Sequence, residues 1–135
     1  MRGHRPIAER QPRSGVGGAV RRPEQNLHRS VAQFLDLVLP ADCWWTTIPL
    51  GGGGRIRGAI LKSMGAKSGT PDILIVYRGK AYFIELKTTK GTESGAQKLT
   101  AAQISMAGAR RAIARSIEGV AWALEVWNIP TKVAA

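Results

Sequence analysis

The chain has one cysteine, Cys43, and nine acidic residues against 20 Lys and Arg in 135 residues. A single thiol excludes an internal disulfide and a cysteine-rich zinc site, and it fits a reducing compartment. Cys43 is assigned no chemistry. No stretch approaches the roughly 18 apolar residues that a membrane-spanning helix needs, and the first residues lack the apolar core of a secretion signal. The expectation is a soluble, cytoplasmic protein with no membrane partner. The length suits one domain with a real core and hardly two, so a single active or binding surface is expected. The scarcity of acids leaves a formal net charge of +11, of which residues 1–22, with six Arg and one Glu, contribute +5. The +6 left on the remainder predicts attraction to a polyanion, nucleic acid ahead of membrane lipid.

Residues 1–22, "MRGHRPIAERQPRSGVGGAVRR", combine Arg, Pro and Gly with few large apolar residues. They predict a disordered basic tail, either an arm that touches phosphates or a solubilising segment. The domain is expected over residues 23–135. In "PEQNLHRSVAQFLDLVLP" the residues Leu27, Val31, Phe34, Leu35 and Val38 fall at helical spacing, with Pro23 in the first turn and Pro40 as the stop. "CWWTTIPL" reads as a strand running into a loop at Gly51 to Gly54, which lacks the Gly-Lys-Ser/Thr ending of a phosphate-binding P-loop. "DILIVYRG" and "AYFIELK" read as a hairpin turning at Arg78 to Lys80. A helix is expected to open at Thr100, with Gln103 closing a capping box and Leu99 and Ile104 forming a staple. "RRAIARS" is a fourth strand and "SIEGVAWALEVWN" a closing helix. Trp44, Trp45, Trp122 and Trp127 are expected in the core or at a dimer interface rather than stacked on bases. The order helix, three strands, helix, strand, helix predicts a small α/β or α+β domain with a mixed sheet.

Two of the nine acids fall at the ends of adjacent apolar strands. Side chains alternate across a strand, so Glu85 and Lys87 share a face and Leu86 faces away. A turn near Gly79 brings Asp72, at the start of the first hairpin strand, beside Glu85 and Lys87 at the end of the second. Two carboxylates and an ammonium at one sheet end suit metal-assisted phosphodiester cleavage, with Asp72 and Glu85 as hard oxygen ligands for Mg²⁺ and Lys87 orienting or deprotonating the attacking water. The competing reading is a Pro-Asp turn and a solvated strand edge with a weak surface ion pair.

Pro71, Asp72, Glu85 and Lys87 match the signature of the PD-(D/E)XK nuclease superfamily. With "EQNLH", "KSMGAKSGTPDILIV", "FIELK" and "LTAAQ" in that order, residues 23 to about 130 resemble the VRR-NUC domain family, in its compact stand-alone phage and bacterial form. The resemblance implies a restriction-endonuclease-like α/β core, a central mixed sheet flanked by helices. It implies DNA cleavage dependent on Mg²⁺, for which Mn²⁺ can substitute. Asp72 and Glu85 would be metal ligands, the Leu86 carbonyl a further ligand, and Lys87 the catalytic lysine, with Gln103 as the family's glutamine of the following helix and Glu24 as the acid of the first helix. Stand-alone members are similar to structure-specific endonucleases that act as homodimers on branched DNA such as four-way junctions and flaps.

Other readings of the minor residues stay open. Glu24 lies toward the buried stripe of its helix, where a metal-bound water or a basic partner would relieve the cost of burial; alternatively it is an acid favoured by the helix N-terminus. Gln103 is either a site residue or a capping-box member. His28, one turn after Glu24, is left outside the site. Lys62, Lys67 and Ser68, in the loop leading to Asp72, and Arg55 and Arg57, beyond the glycines, are candidate DNA contacts. A non-catalytic nucleic-acid-binding module on the same fold is the alternative function, disfavoured because an inert binder has no use for carboxylates beside phosphate. A sequence-specific restriction enzyme would need recognition elements for which little chain is left.

Overall fold

A computed structural model describes residues 23–50 and 53–132, so the expectation for the 1–22 tail lies outside the described residues. Helix α1, Pro23–Val38, forms where its apolar spacing predicts, with Val31 and Leu35 fully buried. Strand β1, Cys43–Thr47, pairs antiparallel with β2, Ile73–Tyr77, in the register Thr47↔Ile73. Strand β2 pairs antiparallel with β3, Lys80–Leu86, and β3 pairs parallel with β4, Arg110–Ala114. The sheet order is β1-β2-β3-β4, three antiparallel-linked strands and one parallel edge strand.

The β2–β3 turn has positive φ at both central residues, Arg78 at 49° and Gly79 at 75°. That is the backbone of the primed turns whose twist matches paired strands. The Arg78 guanidinium lies 5.3 Å from the centre of the Tyr77 ring.

One face of the sheet carries the core. Ile73, Ile75, Tyr77, Tyr82, Ile84 and Ala114 point to it, and α1 and the last helix, α4 at Ile117–Val126, cover it with Val31, Leu35, Val120 and Leu124. Trp45 and Trp127 join this layer as expected; the Trp127 ring lies 5.0 Å from that of Tyr82, and the Trp45 indole donates to Asp36 Oδ1 at 2.9 Å. Trp44 and Trp122 are exposed on this chain, which leaves the dimer-interface half of the expectation open to them. The opposite face, with Trp44, Leu74, Val76, Phe83 and Glu85, is where helix α3, Gly95–Met106, makes the β3-to-β4 crossover.

Two sequence expectations fail. Helix α2, Gly54–Ser63, replaces the expected loop, so Lys62 lies in a helical turn. Its N-cap, Gly53 at φ 83°, supplies no side-chain cap, and no residue of α2 is buried, so neither a cap nor a core stripe announces it. Helix α3 begins at Gly95 rather than Thr100, because Ser94 and Gln97 form the capping box. The Gln97 amide N–H donates to Ser94 Oγ at 3.1 Å and the Ser94 N–H to Gln97 Oε1 at 2.9 Å. Thr100 lies in mid-helix, its buried hydroxyl donating to the Ser68 carbonyl at 2.6 Å, and Leu99 is exposed rather than stapled.

That Thr100 bond ties the segment before β2 to α3. At Gly69, φ 76°, a Cβ would collide with the Ala96 carbonyl oxygen, whereas at Gly79 it would meet open space. Both glycines hold left-handed backbone, which costs an L-residue about 1–2 kcal/mol. Gly79→Ala should lower unfolding stability by about that amount, while Gly69→Ala, which must also separate two backbones, should cost more. Denaturant unfolding of the two variants checks the order; equal losses would contradict the close approach.

Candidate active site

Continuing the β2–β3 register one step past Ile73↔Ile84 sets Asp72 opposite Glu85. Asp72 is anchored there on both sides: its Oδ2 accepts from the Leu86 N–H at 2.8 Å, and its carbonyl accepts from the Ile48 N–H at 2.8 Å. Glu85 is 3% exposed in a chain with 20 Lys and Arg, and the sheet itself carries it inward. Its Oε1 accepts from Gln97 Nε2 at 3.0 Å and lies 3.9 Å from the Lys87 ammonium. Its Oε2 is buried and meets no donor; it can bond the Asp72 carboxylate only by sharing a proton with it, which Glu85 must then keep. A buried, unsatisfied carboxylate oxygen is expensive, and that cost appears in its acidity. Burial, and then the neighbouring Asp72 charge, push Glu85 up to about 7, against the opposing pull of Lys87 and Arg111.

The Gln97 side chain is held at both ends. Its Oε1 is taken by the Ser94 N–H, which turns its Nε2 toward Glu85. Gln103, six residues further along α3, is rotated to the other side of the helix and is exposed. The glutamine that reaches Glu85 is therefore Gln97, and the expectation for Gln103 is corrected. The signal is in the sequence, since Ser94 and Gln97 have the same spacing as Thr100 and Gln103; the apolar residues that flank the second pair make it the more conspicuous of the two.

Glu24, Leu86 and Asp72 line one cavity of about 730 Å³ together with His28, Arg29 and Thr47. Glu24 is exposed rather than turned into the core, so the burial cost expected for it does not arise. His28 Nε2 lies 2.9 Å from Thr47 Oγ1, and that hydroxyl lies 3.2 Å from the Asp72 carbonyl, so a histidine left outside the site by sequence borders it. Arg111, also missed, forms an ion pair with Glu93 at the entrance to α3. Arg115 braces the preceding loop by donating to the Thr88 and Gly91 carbonyls at 2.6 and 2.7 Å. Lys67 and Ser68 are exposed in the segment before Asp72, and Arg55, Arg57 and Lys62 are exposed on α2.

The site fits a hard divalent cation. The orphaned Glu85 Oε2 beside Asp72 is the observation that carries this fit. Among the described residues no three His, Cys, Asp or Glu cluster as a metal cage. An ion held here would meet the oxygens of Asp72 and Glu85, hard donors that suit Mg²⁺ rather than zinc.

An α/β domain with a mixed four-stranded sheet, helices on both faces and two acids at one sheet end has restriction-endonuclease-like architecture. The solved structures it resembles carry that fold under one name. A "VRR_NUC domain protein" superposes with a TM-score of 0.66 at 21% identity, over 80% of this chain and 90% of the other. A "VRR_NUC domain" superposes at 0.51 and 20% identity, over 76% and 95%. The chain therefore has the VRR-NUC fold. No protein-family model matches the sequence, and no curated protein matches it.

The acidity of Glu85 gives a pH prediction for the protein without divalent ions. The folded state keeps the Glu85 proton up to about 7, while an unfolded glutamate releases it near its usual 4.5. This contribution to stability is therefore complete below about 4.5 and lost as pH rises through about 7. Thermal unfolding in EDTA should show stability falling across that window, Glu85→Gln should flatten the fall, and Mg²⁺ should restore wild-type stability at the high end. A wild-type profile that coincides with that of Glu85→Gln would contradict the buried, proton-holding carboxyl.

Proposed function

We propose that the chain is a VRR-NUC-type, metal-dependent DNA endonuclease that hydrolyses phosphodiester bonds. The observation that carries this reading is the buried Glu85 carboxylate, with one oxygen unsatisfied, facing Asp72 in a protein otherwise dominated by Lys and Arg. Asp72, Glu85 and the Leu86 carbonyl would hold Mg²⁺, with Mn²⁺ able to substitute. The bound ion would supply Lewis-acid polarisation of the phosphate and acidification of a water. Gln97 fixes the rotamer of Glu85 through its own two-ended hydrogen bonding. Lys87, with its ammonium beside Glu85, orients the attacking water and the phosphate. Glu24, on the α1 side of the cavity, serves as a further acid at its mouth.

The surrounding charge supports a DNA substrate. Arg55, Arg57, Lys62 and Lys67, with Ser68, provide phosphate contacts on the segment that leads to Asp72. Branched DNA, such as a four-way junction or a flap, is the proposed substrate, with 5′-phosphate and 3′-hydroxyl products. A homodimer suits that use, since a two-fold axis presents two sites to strands of opposite polarity. The exposed Trp44 side chain, on the sheet face away from the core, supports a covering second copy.

Incubation of Asp72→Ala with labelled branched and linear DNA tests the assignment. Cleavage in Mg²⁺ should fall by at least about a hundredfold, the scale expected for removing a ligand of a catalytic ion. DNA binding should stay within a few-fold, because the basic segment is untouched. Wild-type cleavage by Asp72→Ala would remove the site from consideration, and wild-type protein that binds without cutting under all metal conditions would favour the inert binding module.

A further inference from the structure

Helix α2 is an element without an evident structural purpose. None of its residues is buried, yet it carries large apolar side chains: Ile56 is 79% exposed, Ile60 53%, and Met64, its C-cap, 77%. They recur every fourth residue and so form one stripe along the helix. Arg55 and Lys62, seven apart, share a different flank, and Arg57 lies beyond the stripe on the other side. A Cβ at Gly53 would collide with the Arg57 side chain, so the helix start is closed down on that arginine. No acid occurs between Asp42 and Asp72, so the four basic residues of that stretch have no counter-charge within it.

From α2 the chain runs to the active site through a constrained segment. Gly69 abuts the Ala96 backbone, Ser68 accepts from Thr100, Thr70 donates to the Lys67 carbonyl at 2.6 Å, and Pro71-Asp72 follows at once. The connection from α2 to Asp72 is thus short and braced.

We propose that α2 is the element that recognises interrupted DNA, with Arg55, Arg57 and Lys62 gripping phosphates while Ile56, Ile60 and Met64 cover base faces exposed where stacking is broken. The inference rests on the DNA reading above and adds to it the feature of DNA that is recognised. Charge decides the occupant. Two copies of α2 packed together would oppose two strongly basic segments with no acid between them, which disfavours a second copy on this stripe. A polyanion matches the basic flanks, and an intact duplex, with its bases stacked, offers the aliphatic stripe little. Aliphatic side chains inserted at opened base steps, next to basic groups on the backbone, are a recurrent means of holding distorted DNA.

Fluorescence anisotropy in EDTA, where no cutting occurs, tests this with the full chain. The probes are a labelled four-way junction, a duplex with a single-stranded gap, and a blunt duplex of equal length. Wild type should prefer the first two. The triple variant Ile56→Ser/Ile60→Ser/Met64→Ser, altered only at exposed positions, should lose about tenfold on them and little on the blunt duplex. Arg55→Ala/Arg57→Ala/Lys62→Ala should weaken all three probes alike and flatten the salt dependence. A serine variant that keeps the wild-type preference overturns the inference while leaving the DNA reading intact, and wild type that binds none of the probes overturns both. Light scattering that shows the serine variant to be a monomer where wild type is a dimer would assign the stripe to a second copy instead. Binding of wild type, but not the serine variant, to anionic phospholipid vesicles would assign it to a membrane surface.

Discussion

The site depends on one unfavourable placement, the burial of the Glu85 carboxylate at the end of β3. An acid that is 3% exposed, with an oxygen that meets no donor, is an expense that a domain of this size would not carry for packing alone. Its neighbour makes matters worse, because Asp72 is held opposite it by the Leu86 N–H and repels a second negative charge. A cation between the two groups would relieve both penalties, which is the reason the pair is proposed as a metal site.

The rest of the fold holds that pair in place. The primed β2–β3 turn sets the register that opposes Asp72 to Glu85, and the core layer of α1 and α4 secures the sheet from one side only. On the other side α3 presents Gln97 through its capping box, so a local device for starting a helix also orients the Glu85 carboxylate. Two arginines complete the support, Arg111 on β4 binding Glu93 and Arg115, just past the end of β4, holding the loop between β3 and α3.

The hairpin and its acids were legible because strand alternation and a turn of known length fix which side chains meet, and neither depends on distant contacts. Helices α1 and α4 were legible because their apolar stripes face the core. Helix α2 was not, since its stripe of Ile56, Ile60 and Met64 faces solvent and its cap is a glycine. The start of α3 was misplaced because two Ser/Thr-x-x-Gln boxes lie six residues apart, and only tertiary contact decides between them: Glu85 selects Gln97, and the Ser68 carbonyl takes the Thr100 hydroxyl. The contribution of His28 depended on its meeting Thr47 from across the fold, a pairing that no local pattern encodes.

Titration of Mn²⁺ into the metal-free protein, followed by calorimetry or by loss of the free-ion paramagnetic resonance signal, is the most direct test. At pH 8, above the value of about 7 to which Glu85 is raised, wild type should bind saturably and Glu85→Gln should not. Absence of binding to wild type at millimolar ion, or equal binding by the variant, would show that the buried acid pair is not there for a cation.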